Sequence, residues 1–133
     1  MPPLAAPKIW PAVAPILQRA LDRDNGEETT EDILGKVLDT TNALWVVYHG
    51  KELAAVAITA ITTYPRFRAA KLGYLAGDGL DLWFKPLMAD IEAWARECRC
   101  VALEGIGRPG WKPHLKAIGI KQTGYVYRKE LAP

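Results

Sequence analysis

Two glycines, Gly77 and Gly79, lie where an apolar strand pattern ends and a helical pattern begins. Backbone N–H groups in the first turn of a helix have no partner within the helix, and they attract anions. The junction therefore predicts an anion-binding turn, with Leu75 on the strand side of it and Leu80 on the helix side.

Charged side chains are segregated along the chain, although the formal net charge is only +2. A net charge this small gives no strong signal for nucleic-acid binding. Residues 22–39 contain seven acidic residues and two basic ones, whereas six basic residues and no acidic ones occur in residues 108–129: Arg108, Lys112, Lys116, Lys121, Arg128 and Lys129. The simplest interpretation is two solvated faces of opposite sign.

Cys98 and Cys100 are too close in sequence for an ordinary structural disulfide, and no second Cys or His pair completes a zinc site. The sequence shows neither a signal peptide nor an apolar run long enough to span a bilayer. These features predict a protein of a reducing, cytoplasmic compartment with no membrane partner.

Hydrophobic periodicity predicts the elements that position the glycine turn. Residues 1–8 contain three prolines and are expected to be an extended lead-in, and residues 9–133 are expected to form one domain. Two helices are expected before residue 40, the second capped by Thr29 or Thr30. A central helix follows the glycine turn, with an apolar face formed by Leu80, Phe84, Leu87, Ile91, Trp94 and Cys98.

Three strand patterns precede the glycine turn, at Leu44–Tyr48, Leu53–Thr63 and Arg68–Leu75, and they predict an antiparallel meander. A fourth strand at Val101–Ile106 would return after the central helix as a crossover. A short helix over residues 111–118 and a last strand over residues 122–131 complete the order. The fold class is α/β (α+β), with one mixed, mostly antiparallel sheet of about five to six strands.

This order resembles the GNAT superfamily of N-acetyltransferases. Similar segments are Cys100–Glu104, Leu115–Ile120 and Tyr125–Leu131. More narrowly, the sequence around Trp45, the turn at residues 64–66 and the loop at residues 107–111 resembles short GNAT-like proteins of phages and prophages. The resemblance covers about residues 9–131.

The resemblance implies acetyl transfer from acetyl-CoA to an amine. The cofactor diphosphate would bind the loop that opens the central helix, which gives Leu75, Gly77, Gly79 and Leu80 as cofactor-binding candidates. The short late helix would border the same cleft. Arg108 and Lys112 are therefore further cofactor-binding candidates, although the same basic residues could instead contact an acidic protein.

The resemblance also implies a carboxylate that takes the proton of the amine and a tyrosine that protonates the departing thiolate. Glu104, on an otherwise apolar strand, is the candidate base. Leu115 stands where the family has its tyrosine. Tyr125 and Tyr127 are alternative acids if the last strand folds over the site, and Tyr125 is the candidate acid. If Glu104 faces water and Tyr125 only packs, both residues are structural.

The glycine turn departs from the family pattern in two places. Tyr74 stands where the family has Gln or Arg, and Asp78 places a carboxylate inside the expected anion site, where we expect it to cap the helix.

The sequence leads to two alternative functions. The first is a small acetyl-CoA-dependent N-acetyltransferase-like protein with a degenerate cofactor loop and an unknown amine acceptor. The alternative is a non-catalytic interaction or virion-associated protein that has lost acetyl-CoA and binds a phage structural or host protein.

Overall fold

The computed structural model describes residues 2–23, 26–105, 112–124 and 127–132. Within these residues the protein has the α+β class that the sequence predicts. In chain order the elements are α1 (Ala6–Leu21), α2 (Thr30–Leu38), β1 (Asn42–His49), β2 (Glu52–Thr63), β3 (Arg68–Gly77), α3 (Leu80–Glu97), β4 (Ala102–Gly105) and α4 (Lys112–Ala117).

Helix α1 begins earlier than expected. Pro3–Ala5 form a 3-10 turn and the helix starts at Ala6, so an extended lead-in is wrong for Pro3–Lys8. Proline suits this start because the first N–H groups of a helix need no acceptor, and Ala6 is fully buried. The helix also continues through two internal prolines, because one face of it is buried in the core: Trp10, Val13, Leu17 and Leu21.

Helix α2 begins with a reciprocal cap. The Asp32 N–H donates to the Thr29 hydroxyl (3.2 Å), and the Thr29 N–H donates to the Asp32 carboxylate (2.9 Å). The backbone hydrogen bond from Thr29, and then its hydroxyl, lower the pKa of Asp32. Of the two threonines predicted to cap this helix, Thr29 is the one that does.

The sheet has the strand order β1-β2-β3-β4. The first three strands pair antiparallel, and β3 and β4 pair parallel across the α3 crossover. The predicted meander and crossover are both confirmed.

Helices cover both faces of the sheet. Helices α1 and α2 pack against one face, where the buried strand residues are Leu44, Val56 and Ile58. Helix α3 packs against the other face, where Ala55, Ala57, Leu72 and Leu75 meet Trp83, Phe84, Leu87, Met88 and Ile91. Along each strand, successive side chains therefore point to different helices.

The expected last strand over residues 122–131 is not a strand in the part of it that the structure describes, so the sheet has four strands rather than five to six. The alternation around Tyr127 predicted a strand with one buried face, but Tyr127 is 87% exposed. The segment instead lies on the surface, where Arg128 contacts Glu27 (3.5 Å) and Glu130 (2.8 Å). None of the described helices is long and apolar enough to span a lipid bilayer.

Candidate cofactor-binding site

Strand β3 contains a bulge next to the last pair that the structure describes between β3 and β4. Leu72 and Tyr74 pair with consecutive residues of β2, which leaves Gly73 as the extra residue. The last pair between β3 and β4 joins Leu72 to Gly105. A bulge bends its strand and interrupts the ladder. Among the described residues, β3 beyond Gly73 therefore pairs with β2 on one side only.

A small open pocket with a volume of about 50 Å³ lies at the carboxyl end of β3. Three of the predicted cofactor-binding residues, Leu75, Gly77 and Leu80, line it together. The other residues that line the pocket were not predicted from the sequence: Arg19, Arg23, Ala76 and Trp83. The two arginines lie more than 50 positions before the glycine turn, and no sequence motif connects them to it.

The backbone of the turn requires its glycines. Gly77 has φ +148°, and a Cβ there would lie 2.4 Å from the Ala54 carbonyl oxygen. The Asp78 N–H donates to the same oxygen (3.1 Å), so the turn is tied to β2. Gly79 has φ +74°, a left-handed conformation, and is the N-cap of α3. Gly79, the fourth predicted cofactor-binding residue of the turn, is not among the described residues that line the pocket, and a Cβ there would lie 3.8 Å from the Trp83 indole nitrogen.

Asp78 does not cap α3, so that prediction is wrong. Gly79 holds the N-cap position, and no side chain caps the helix. The Asp78 carboxylate turns instead to α1, where it accepts hydrogen bonds from both terminal nitrogens of Arg19 (3.0 and 3.4 Å). These hydrogen bonds, and then the charge of Arg19, lower the pKa of Asp78. The Trp83 indole N–H donates to the Asp78 carbonyl oxygen (2.6 Å).

Tyr74, which stands where the resemblance implies Gln or Arg, has a structural contact. Its ring packs against the core between α1, α2 and the sheet. Its hydroxyl donates to the Glu28 carboxylate (3.0 Å), which also accepts from Lys36 (2.5 Å). This side chain therefore fixes the segment before α2 against β3.

Glu104, the candidate base, is half-buried and accepts a hydrogen bond from the Tyr64 hydroxyl. Tyr64 lies in the connection between β2 and β3, and its ring packs on Phe67 at a centroid distance of 5.1 Å. The hydrogen bond to Glu104 is the main reason that the pKa of Tyr64 is raised. Sequence reasoning missed Tyr64, because 40 residues separate the two partners.

Glu104 projects from the sheet face that α1 and α2 cover. The preceding residue, Leu103, packs into the core under α3, and successive strand side chains alternate between faces. Glu104 is in register with Lys71 and lies one residue before the end of the β3–β4 pairing. From Lys71 to Gly77, β3 extends about 20 Å at roughly 3.3 Å per residue.

Three other predicted site residues lie at the edge of what the structure describes or beyond it. Arg108 and Tyr125 are outside the described residues, and Lys112 is the first residue of α4, with a side chain that the structure does not describe. Leu115, which stands where the resemblance implies a tyrosine, packs against the core under α3. The neighbouring His114 ring contacts Phe84 at a centroid distance of 5.7 Å.

The fold is similar to solved acetyltransferase structures over nearly the whole chain. A predicted acetyltransferase with acetyl-CoA from Clostridium acetobutylicum has a TM-score of 0.75 at 14% identity, over 92% of this chain and 90% of that one. A GNAT family acetyltransferase from Staphylococcus aureus has a TM-score of 0.67 at 12% identity, over 96% and 93%. The aminoglycoside N-acetyltransferase AAC(6')-Iy in complex with CoA has a TM-score of 0.66 at 16% identity, over 98% and 92%.

The fold is therefore that of the GNAT acetyltransferases, as the sequence predicts. Identities this low show the fold alone. No protein-family model matches the sequence, and no curated protein matches it.

Proposed function

We propose that this protein is an acetyl-CoA-dependent N-acetyltransferase. The observation that supports this proposal most strongly is the bulge at Gly73, which directly follows the last described pair between β3 and β4. Within the described residues, one edge of β3 is unpaired between this bulge and the pocket at Gly77. A strand edge of this kind binds an extended amide-containing chain through main-chain hydrogen bonds.

The residues of this site fit acetyl-CoA. The absence of a side chain at Gly77 leaves the turn free to approach both β2 and the pocket, and Arg19 and Arg23 supply positive charge next to it. Leu75 and Leu80 provide apolar contacts, and Gly79 lies beside them. Acetyl-CoA would supply an activated acetyl group as a thioester, and Arg108 and Lys112 remain predicted contacts for its phosphates.

Glu104 is the group that we assign to proton transfer. As the nitrogen of the acceptor amine forms its bond to the acetyl carbon, the Glu104 carboxylate accepts the proton that the nitrogen loses. The backbone N–H groups at the bulge are suited to stabilise the negative charge on the acetyl oxygen. The carbon–sulfur bond then breaks, and the thiolate takes a proton from Tyr125 or from water, because Leu115 has none to give.

The orientation of Glu104 depends on Tyr64. A half-buried hydrogen bond from a hydroxyl fixes one carboxylate oxygen and leaves the other free to accept a proton. Because the donor comes from a different strand connection, the geometry is set by the fold rather than by the local sequence.

The finer parts of the assignment are also proposals. We place the protein with the phage or prophage GNAT-like proteins, on the basis of the sequence resemblance. On this basis it acts in the cytoplasm of the host or is carried in the virion, and the acceptor is an amine of unknown identity.

One observation favours a second function, that of a non-catalytic interaction module. The Arg19 guanidinium is already paired with the Asp78 carboxylate inside the turn that would bind phosphate. Together with the structural contacts of Tyr74 and Leu115, this pair is compatible with a GNAT fold that binds a phage structural or host protein instead of acetyl-CoA.

Calorimetric titration with acetyl-CoA at moderate salt distinguishes the two functions. The enzyme predicts micromolar binding that is lost in Gly77→Val, together with acetylated products detected by mass spectrometry from a panel of amines. Gly35→Ala is the matched control, because a Cβ at Gly35 meets nothing within 4 Å. An absence of heat at millimolar acetyl-CoA would leave the interaction module as the function.

A further inference from the structure

We propose that Arg19 and Arg23 form a phosphate-binding subsite for a diphosphate ester, and that the Asp78 carboxylate is an internal anion that the ligand displaces from Arg19. This inference rests on the proposed function, because it assigns the ligand contacts of the same pocket. It goes beyond that function by assigning phosphate recognition to side chains of α1.

The glycine turn on its own is poorly suited to hold phosphate. The Asp78 N–H is already used, since it donates to the Ala54 carbonyl oxygen. The Asp78 carboxylate adds a negative charge beside Gly77, and like charges at short range repel. Positive charge for a phosphate must therefore come from another element.

Helix α1 supplies that charge. Arg19 and Arg23 are four positions apart at the end of α1, so they lie on the same side of it. Both residues line the pocket together with Gly77. Among the described residues, Arg23 makes no ion pair, and Arg19 pairs with Asp78 alone. Two arginines therefore line the pocket, and one of them, Arg19, is paired with the exposed Asp78 carboxylate next to it.

The Arg19–Asp78 contact has the geometry of phosphate recognition. Both terminal nitrogens of Arg19 donate to separate carboxylate oxygens, and the same planar fork binds two oxygens of a phosphate. The Arg19 side chain is 43% exposed and that of Asp78 is 85% exposed. Exposed ion pairs contribute little to stability, so a phosphate with more charge and a second arginine can replace the carboxylate.

The test compares acetyl-CoA, inorganic pyrophosphate and an acetyl thioester of N-acetylcysteamine, which lacks phosphate, in calorimetric titrations of the full chain. Arg19→Ala and Arg23→Ala should each weaken binding of the two phosphate ligands by roughly 10–100-fold, the range for lost charge-assisted hydrogen bonds. Asp78→Asn should tighten both by roughly 2–5-fold, because it removes a weak competing pair. Any binding of the short thioester should stay unchanged in all three variants.

Arg66→Ala is the matched control, because Arg66 is exposed in the connection between β2 and β3, away from the pocket. Circular dichroism and thermal unfolding of each variant identify loss of fold. Arg19→Lys keeps the charge without the fork and should lie between wild type and Arg19→Ala.

The outcomes separate the two proposals. If acetyl-CoA binds but Asp78→Asn does not tighten it and the arginine variants do not weaken it, this inference is wrong and the proposed function stands. If only pyrophosphate binds, and does so through the arginines, the subsite is supported and the acetyl-CoA function fails. If neither ligand binds the wild-type protein, both proposals are overturned.

Discussion

The two ends of β3 differ in how their polar side chains are held. At the paired end (Arg68–Leu72), beside β4, Glu104 is half-buried and receives a hydrogen bond from Tyr64. At the loop end (Gly73–Gly77), the Asp78 carboxylate that follows is exposed, and its ion pair with Arg19 joins two solvated side chains. The group that we propose for proton transfer is thus fixed by the fold, whereas the group that we propose to control recognition is held by one solvated ion pair.

The largest effect is expected at the paired end. Glu104→Gln should lower the rate of acetyl transfer by roughly 10²–10⁴-fold, the range for loss of a general base. The amide keeps an oxygen that accepts the Tyr64 hydrogen bond, so acetyl-CoA affinity and thermal stability should stay near wild type. Steady-state kinetics with an accepted amine, together with calorimetry, would measure both.

Tyr64→Phe should lower kcat with little change in KM for acetyl-CoA, because it removes only the contact that orients Glu104. If Glu104→Gln leaves the rate unchanged, the carboxylate is structural. No proton-accepting group would then be assigned to the paired end of β3.

At the loop end, Gly77→Ala should destabilise the protein by about 1–3 kcal/mol, the cost of holding a non-glycine residue in a strained backbone conformation. The added Cβ would also meet the Ala54 carbonyl oxygen at 2.4 Å, which forces the turn away from β2. Urea unfolding measures the free energy change. Gly35→Ala, in the interior of α2, should instead be neutral or stabilising.

Gly105→Ala likewise replaces a glycine by alanine, at the paired end of β3. A Cβ there would lie 2.8 Å from the Leu72 carbonyl oxygen, without a positive φ. We expect a loss of about 1 kcal/mol, the low end for overpacking, because β4 is short and can shift. A larger loss at Gly105 than at Gly77 would show that the close contact costs more than the positive φ of Gly77.

The stability of the protein at alkaline pH tests the hydrogen bond between Tyr64 and Glu104 at the paired end of β3. Since the pKa of Tyr64 is raised above its usual value of 10.0, its contribution to stability is complete below that value and is lost as the pH rises through the higher folded value. Tyr64→Phe should remove this alkaline loss in unfolding experiments. In Glu104→Gln the ultraviolet titration of the Tyr64 phenol should shift to lower pH.

The smallest effect on stability is expected at acid pH, from Asp78 at the loop end of β3. The lowered pKa of Asp78 means that its contribution is complete above the usual value of 3.8 and is lost as the pH falls through the folded value. The stability difference between wild type and Asp78→Asn should therefore shrink in acid, and also at high salt. A difference that salt does not change would show that the pair is not a solvated one.

Most of the fold could be predicted because its signals are local. The β-branched run of β2, the capping threonine of α2 and the apolar face of α3 each occur within one element. The last strand was mispredicted because alternation around Tyr127 shows only that a strand is feasible. It does not show that a sheet edge is available to bury one face.

The candidate site was predictable only in its glycine turn, where backbone conformation restricts residue type. The contacts on which the two proposals rest join Tyr64 to Glu104 and Arg19 to Asp78, 40 and 59 residues apart. Such pairs depend on how the strands register and how α1 crosses the sheet. No single-sequence pattern encodes either.

The fluorescence of Trp83 is expected to respond to changes in the pocket. Its indole N–H donates to the Asp78 carbonyl oxygen, and its ring lines the pocket beside Leu80. A ligand that moves the turn would change the polarity around this ring and therefore its emission, and the difference between wild type and Trp83→Phe would isolate that signal. Binding at the end of β3 can thus be followed in real time without any label.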